Sequence, residues 1–439
     1  MEKETVYIIG EGKIEEVPKV FFDYFGNAHT PYIFADEHTW LAAGEHIYEL
    51  FEGNDVELFL FPEKQPVYAN YDNVLILKEK LQQRENSIGI AVGSGTINDL
   101  VKLASFELNK EYMLFPTAPS VDGYTATGSA LTIGGFKKTL YSPPPAVLIA
   151  DGTILKAAPS PMIAAGYGDL VAKITAGADW IIADVLGVEP IVQDVWLMVQ
   201  KDLRQNISEP KALTERNPEA IEKLFDGLAQ TGYAIKKYND SRPASGAEHL
   251  LSHVWEMDHL TIDGEPVSHG FKVALGTLVI TALLEELLIF DKEDVERLYQ
   301  ENLPVTWNER LIYLDGILKS NKLKDTIIEV AKSKFLEGNE AIKRRKHILN
   351  QWDEIKERIV RQIIPISELR DKFNLVKCPV EPITIALSQE ALEKGLRIAQ
   401  LIRKRYTSLD LVYEIGGMDT IVNTLFYTDK YFSKFYTHA

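Results

Sequence analysis

Over its first 150 residues the chain alternates short apolar runs with helix-length stretches, and such alternation implies crossover units that lay parallel strands into one sheet. Pro31 to Ala35, Glu57 to Phe61, Ser87 to Val92 and Tyr112 to Phe115 read as strands, with a last one around Ala146 to Ala150. From about Tyr141 the pattern changes. A Ser-Pro-Pro-Pro run at 142–145 and that last strand are followed by helical periodicity alone, which places a boundary near Asp151. The expectation is an α/β domain over 1–150 and an all-α bundle over 151–439. Helices are expected at Asp169–Leu186, Ile191–Asn206, Pro218–Lys237, Ser245–Leu260, His269–Phe290, Lys292–Glu301, Asn308–Ser320, Leu323–Phe335, Glu340–Ile364 and Ser388–Arg405.

Two domains also suit the length, because 439 residues exceed the size at which a single core usually stops growing. A net charge of −17 argues against a protein that wraps a nucleic-acid backbone, whose affinity comes from Lys and Arg neutralising phosphates. A small anionic ligand needs only a local basic pocket. The single cysteine, Cys378, cannot form an intrachain disulfide, which fits a reducing compartment. The N-terminus is acidic where a signal peptide is basic, and no apolar run approaches membrane-spanning length, so a cytoplasmic protein with no membrane span is expected. The basic run Lys343-Arg344-Arg345-Lys346 has acidic residues a turn or two away and reads as a solvated helix face. The aromatic-rich stretch Asp410 to Ala439 is expected to pack on the bundle.

The densest chemistry lies in RPASGAEHLLSHVWE, Arg242 to Glu256. Ser245 and Glu248 have the spacing of a capping box, which would start a helix at Ser245. On that helix His249 and His253 stand one turn apart on one face, where both can address one ion or substrate. His269-Gly270 opens the next helix and adds a third candidate ligand. Gly168-Asp169 precedes another predicted helix, where a carboxylate is either a cap or, with two imidazoles, part of a divalent site left open for catalysis.

Three further stretches sit at the carboxyl ends of predicted strands, where α/β sheets bind ligands. Gly93-Ser94-Gly95-Thr96, leading into a helix at Ile97, is a turn at which a pyrophosphate can approach backbone N–H groups. Asn98 replaces the third glycine of a Rossmann fingerprint, so the match is half. Asp99 and Lys102 on that helix read equally as a surface ion pair or as cofactor contacts. Asp36, after the first strand, is either a helix cap or an acceptor for the adenosine ribose that would repel a 2′-phosphate. Phe115-Pro-Thr-Ala-Pro-Ser-Val-Asp-Gly123 is a rigid loop with hydroxyls at Thr117 and Ser120 and a carboxylate at Asp122.

In that order, the glycine turn with its Asp-x-x-Lys, the TAPSVDG loop, GDLVAK, SGAEHLLSH and the following HG resemble the metal-dependent polyol dehydrogenase and dehydroquinate synthase superfamily. SGAEH and TAPS-x-DG look most like the sn-glycerol-1-phosphate dehydrogenases, and the resemblance spans most of the chain. It implies an N-terminal dinucleotide-binding domain, a helical domain and a divalent ion (Zn, Ni or Fe) in the cleft between them. The ion's ligands would be Asp169, His249 and His269. Asp122, Asp169 and His253 would border the substrate, with His253 as proton relay. Asp36, Gly93 to Ile97, Asp99, Thr117, Ser120 and Thr125 would serve NAD, with NADP as the alternative. At position 126, where archaeal relatives tend to carry serine, this chain has alanine with Thr125 and Thr127 beside it, so the resemblance leaves that cofactor hydroxyl open, and Thr125 is the one named for it. Arg242 and the Lys137-Lys138 pair are the cations considered for a substrate phosphate. The implied reaction interconverts dihydroxyacetone phosphate and sn-glycerol 1-phosphate by hydride transfer, in a homodimer. The alternatives are a glycerol dehydrogenase, a dehydroquinate synthase-like cyclase, or a dinucleotide- and metal-binding interaction protein without turnover.

Overall fold

The computed structural model describes residues 4–62, 67–134, 136–319 and 321–436. They form two compact units, Met1–Leu170 with Arg204–Asp240, and Val171–Leu203 with Ser241–Ala439. The division therefore differs from a single cut near Asp151: the chain returns to the first unit with the helix Pro218–Tyr238.

The first unit is built on six parallel strands, β1 Val6–Gly10, β2 Thr30–Ala35, β3 Glu57–Leu60, β4 Ser87–Val92, β5 Tyr112–Phe115 and β8 Val147–Asp151. A separate antiparallel hairpin, β6 Ser129–Ile133 with β7 Phe136–Leu140, lies between the last two in sequence. The sheet order is β1-β8-β5-β4-β2-β3. The four inner strands are buried along their length, as continuous apolar runs require, whereas the edge strands β1 and β3 are mostly half-buried. One face buries Ile33, Ile90, Val92, Phe115 and Ile149 against Val17, Phe21 and Ile47. From β2 the chain steps outward to β3, then crosses back to β4 and proceeds the other way through β5 and β8, so strand order reverses between β2 and β4. A ligand crevice opens at the carboxyl ends of the strands at such a reversal. Asp36 follows β2, and Gly93 to Thr96 follow β4.

The predicted helix Asp169–Leu186 is two helices, Ser160–Val171 and Lys173–Val185. Asp169 is thus not a cap at a helix start. It lies in the last turn of a helix whose beginning, marked by Pro159 and Pro161, reads in sequence as a turn. That helix touches the TAPSVDG loop backbone to backbone, since a Cβ at Gly166 would overlap the Pro119 carbonyl.

In the second unit the helix His269–Ile289 is apolar all round and buried through most of its length, as a core helix must be. It packs on Ala247–Met257, Gly338–Gln362, Ile366–Val376 and Met418–Tyr427. Gly276 permits a close crossing with Ala247–Met257, because a Cβ there would stand 2.5 Å from the Glu248 carbonyl oxygen. The C-terminal aromatic stretch does pack on the bundle: Phe432 is buried and the Tyr431 hydroxyl donates to Glu286 at 2.8 Å. Among the described residues no single helix is long and apolar enough to cross a membrane.

Gly166→Ala forces the loop and its helix apart and is expected to cost about 1–3 kcal/mol, as overpacking does. Chemical denaturation measures the loss, and NADH titration of the folded fraction should show weaker binding, because the loop that moves carries Thr117 and Ser120.

Candidate active site

The first unit gathers its candidate residues around the strand reversal. Gly93 has no room for a side chain, since a Cβ would lie 2.7 Å from Ile97 Cβ. Its N–H and C=O are tied to the neighbouring strand end, the N–H donating to Phe115 O at 3.1 Å and the carbonyl accepting from Thr117 N at 3.3 Å. The helix Gly95–Glu107 starts at Ser94, whose hydroxyl is 2.6 Å from Ser120 Oγ and 3.2 Å from the Tyr124 hydroxyl. Tyr124 is buried and also reaches the Ala118 carbonyl, so one phenol joins the glycine turn to the TAPS segment. Thr117 and Ser120 are buried on the same loop.

Asp99 and Lys102 are not a surface pair. Lys102 is 0 % exposed, and its ammonium donates to the carbonyls of Gly123, Ala126 and Gly128 at 3.0, 3.1 and 3.2 Å. Burial pulls it below the ordinary lysine range, against the pull of Asp99 at 3.8 Å. Asp99 Oδ2 accepts from the Ala130 N–H at 3.0 Å. These two residues fasten the loop and hairpin, and the reading of Asp99 as a cofactor contact gives way to that role. Thr125 is corrected likewise: it is fully buried, and its hydroxyl donates to Ala229 O at 2.5 Å, on the helix Pro218–Tyr238. Asp36 is an N-cap, accepting from Thr39 N at 2.8 Å while Thr39 Oγ1 accepts from its N–H at 3.0 Å. Both ordinary and functional readings of Asp36 place it at the strand reversal. The Asp122 N–H donates to Asp169 Oδ2 at 3.0 Å, which fixes that buried carboxylate beside the loop.

In the second unit the histidine helix runs Ala247–Met257. The capping box at Ser245 does not form; the cap is Gly246, without a side-chain cap of its own. Asp179, from the helix Lys173–Val185, takes the cap's place by accepting from Ala247 N at 2.6 Å and from Ser408 N at 2.7 Å. Glu248 accepts from Gly246 N at 2.6 Å and from Thr175 Oγ1 at 3.0 Å. A side chain at Gly246 would stand 2.5 Å from Asp179 Oδ2 and 2.8 Å from Glu248 Oε2. Burial, and next the Glu248 charge, push Asp179 up to about 7. Glu248 is held below its ordinary range, burial notwithstanding, by the His249 imidazole and the Gly246 N–H.

His249 Nδ1 is 2.8 Å from Glu248 Oε1, His269 Nδ1 is 3.1 Å from Glu256 Oε1, and His253 Nδ1 is 3.2 Å from Glu256 Oε2. Carboxylates accept, so each ring carries its proton on Nδ1 and presents Nε2 as the lone-pair donor. The rings lie close, with centroids 5.5 Å apart for His249–His269 and 6.2 Å for His253–His269, and a nitrogen of His249 lies within 4.8 Å of one on His269. This is the donor chemistry a divalent ion requires. Glu256 also pairs with Lys272 at 3.1 Å, and so serves three cationic or protic groups at once. Sequence reading passed over Glu256, although its place three residues after His253 puts it on the histidine face.

Arg242 is no phosphate ligand. It is 0 % exposed, donating to Tyr406 O at 2.8 Å and Asp179 O at 2.9 Å, with its Nε 3.4 Å from Glu189. Lys138 is exposed on β7, and the side chain of Lys137 lies outside the described residues.

Residues 8–159 match the family model of iron-containing alcohol dehydrogenases. The chain is 33% identical over 325 residues to glycerol-1-phosphate dehydrogenase [NAD(P)+] of Halalkalibacterium halodurans, covering 72% of this chain and 80% of that protein. It is 33% identical over 215 residues to the protein of the same name from Pyrococcus horikoshii, covering 49% and 61%. In fold it is similar to a probable glycerol dehydrogenase from Sinorhizobium meliloti (TM-score 0.61, 13% identity, 96% of this chain and 98% of that one). It is similar also to sulfoacetaldehyde reductase from Bifidobacterium kashiwanohense in complex with NAD+ (TM-score 0.61, 16% identity, 98% and 100%). The chain belongs to the glycerol-1-phosphate dehydrogenase family of oxidoreductases.

Glu256→Gln leaves one amide oxygen to accept where two carboxylate oxygens did, so only one of His253 and His269 keeps its anchor. Loss of such a partner typically weakens metal affinity by about 10–100-fold. Competition with a chelator, read by the free metal, should show a drop in that range, alongside a lower unfolding midpoint because buried Lys272 loses a charge partner.

Proposed function

We propose that this chain catalyses the reversible NAD(P)-dependent reduction of dihydroxyacetone phosphate to sn-glycerol 1-phosphate, with one divalent ion held by Asp169, His249 and His269. The observation that carries the reading is the pair of imidazoles anchored at Nδ1 on Glu248 and Glu256, on rings of which one nitrogen of His249 lies within 4.8 Å of one on His269. Asp169 adds a buried carboxylate whose orientation is set by the Asp122 N–H. A neutral–neutral–anionic N,N,O set suits Zn, Ni or Fe. A divalent ion bound there supplies Lewis acidity toward a carbonyl oxygen, and the nicotinamide supplies the hydride.

The chain's own residues perform the rest. His253, half-exposed with its ring held by Glu256, acts as the relay that delivers a proton to the developing alkoxide. Asp122 positions a substrate hydroxyl. Gly93 to Ile97, Thr117 and Ser120 receive the dinucleotide at the strand reversal, where the N-terminus of the helix Gly95–Glu107 favours a pyrophosphate. Asp36 sits at the end of the neighbouring strand and favours NAD over NADP through repulsion of a 2′-phosphate. A cytoplasmic homodimer completes the proposal.

NADH oxidation should follow addition of dihydroxyacetone phosphate and not of dihydroxyacetone. Equal rates with the two would favour a glycerol dehydrogenase, and no net NADH consumption with either would favour a cyclase or a binding protein. His253→Ala should keep NADH binding and lose kcat by ~10²–10⁴-fold, the usual contribution of a general acid–base group, together with one ionisation in its pH–rate profile. An unchanged profile removes His253 from the relay. Asp36→Ser should narrow the NAD:NADP preference chiefly through KM, and an unaltered ratio leaves Asp36 only its cap.

A further inference from the structure

The basic run Lys343–Lys346 is not wholly a solvated face. It lies on the helix Gly338–Gln362, and Arg344 and Arg345 are half-buried, lining with Arg310 a cavity of about 480 Å³ inside the second unit. That volume is within the range of small-molecule pockets.

Arg310 and Arg345 are held there by rings and neutral acceptors. The Arg310 guanidinium lies 4.1 Å over the Tyr413 ring and 5.1 Å over Tyr313, and donates to Gln400 Oε1 at 3.0 Å. Arg345 donates to the Asn302 carbonyl at 2.7 Å, and Arg344 lies 5.5 Å over the Tyr406 ring. The buried Nη1 of Arg344 has no hydrogen-bond partner among the described residues. Several acids lining the cavity already have partners, among them Lys334 and Arg397 of the same wall. Asp410 accepts from Lys334 at 2.6 Å, Gln400 at 2.8 Å and Thr407 N at 2.9 Å; Glu309 caps its own helix at Thr306; Asp419 pairs with Arg397 at 2.8 Å; Glu301 is exposed. Glu414 stands 3.8 Å from Arg344, and burial pushes it up to about 7 while the Tyr406 hydroxyl donates to it at 2.6 Å. An arginine with an unmet buried donor therefore faces a weakened counter-charge, a costly arrangement that an anion relieves. A second observation concerns the apolar lining: Leu303, Val305 and Tyr313 border the same cavity yet are 73%, 40% and 38% exposed.

We infer that this cavity is a second ligand site, for a small organic anion whose phosphate or carboxylate head meets Arg344 and Arg310 and whose apolar body covers Leu303 and Val305. No residue of it takes part in the reaction proposed above, so the two assignments stand or fall separately.

Calorimetric titration of the full-length protein tests it with octyl phosphate and octanoate below their micelle-forming concentrations, against inorganic phosphate and octyl glucoside, which carry one feature each. Saturable one-to-one binding of either anionic amphiphile is expected, and the tighter of the two identifies the head group. Arg344→Ala should weaken it about tenfold or more. Leu303→Asp, at an exposed position that tolerates a charge, should weaken it similarly with no change in unfolding temperature. The inference is overturned by absence of saturable binding of both amphiphiles, by octyl glucoside or inorganic phosphate binding as tightly as they do, or by wild-type affinity in both variants.

Discussion

Two buried carboxylates from different helices, Asp179 and Glu248, determine how the histidine helix begins and which way its first imidazole points. Between them they accept from the N–H groups of Gly246, Ala247 and Ser408, the Thr175 hydroxyl and the His249 ring. The first turn of a helix leaves N–H groups without partners, and here a tertiary carboxylate satisfies one of them instead of a local serine. The consequence reaches the chemistry directly: the contact of Nδ1 with Glu248 fixes the orientation of the His249 ring and which nitrogen it turns to the carboxylate. Glycine at 246 and 276 is the steric condition for this packing, since side chains there would meet these carboxylates or the Glu248 backbone.

The first unit solves a related problem with the opposite charge. The TAPSVDG loop must keep irregular backbone near the ends of β4 and β5, and irregular backbone leaves carbonyls to satisfy. Lys102 meets three of them with one buried ammonium, Tyr124 ties the loop to Ser94, and Gly166 lets a helix lie directly on Pro119. A lysine so placed loses its hydration, which accounts for its lowered proton affinity and for a role in shape rather than in ligand contact.

Much of this was legible from residue patterns. The four inner strands are continuous apolar runs, so their positions follow from composition and turn residues alone, and β4 and β5 match their expected bounds. The histidine spacing put His249 and His253 on one helix, and they lie on Ala247–Met257. What escaped sequence reading depends on partners distant in the chain. Asp179 is 68 residues from the N–H it caps, so a local S-x-x-E pattern pointed to Ser245 instead. Arg242 looked available to a phosphate because its acceptors at Asp179 and Tyr406 lie 63 and 164 residues away. β1 was missed because VYIIG is a short, half-buried edge strand, and the helix Ser160–Val171 because its prolines resemble a loop.

Under the proposed function, His249 and His253, one turn apart and each anchored at Nδ1 on a carboxylate, have different duties, the first as a metal ligand and the second as a proton relay. Elemental analysis of His249→Ala and His253→Ala, purified identically and equilibrated with a divalent ion, tests this most directly. The account predicts that His249→Ala loses most of its metal and His253→Ala retains it. Full occupancy in His249→Ala, or loss confined to His253→Ala, would contradict it.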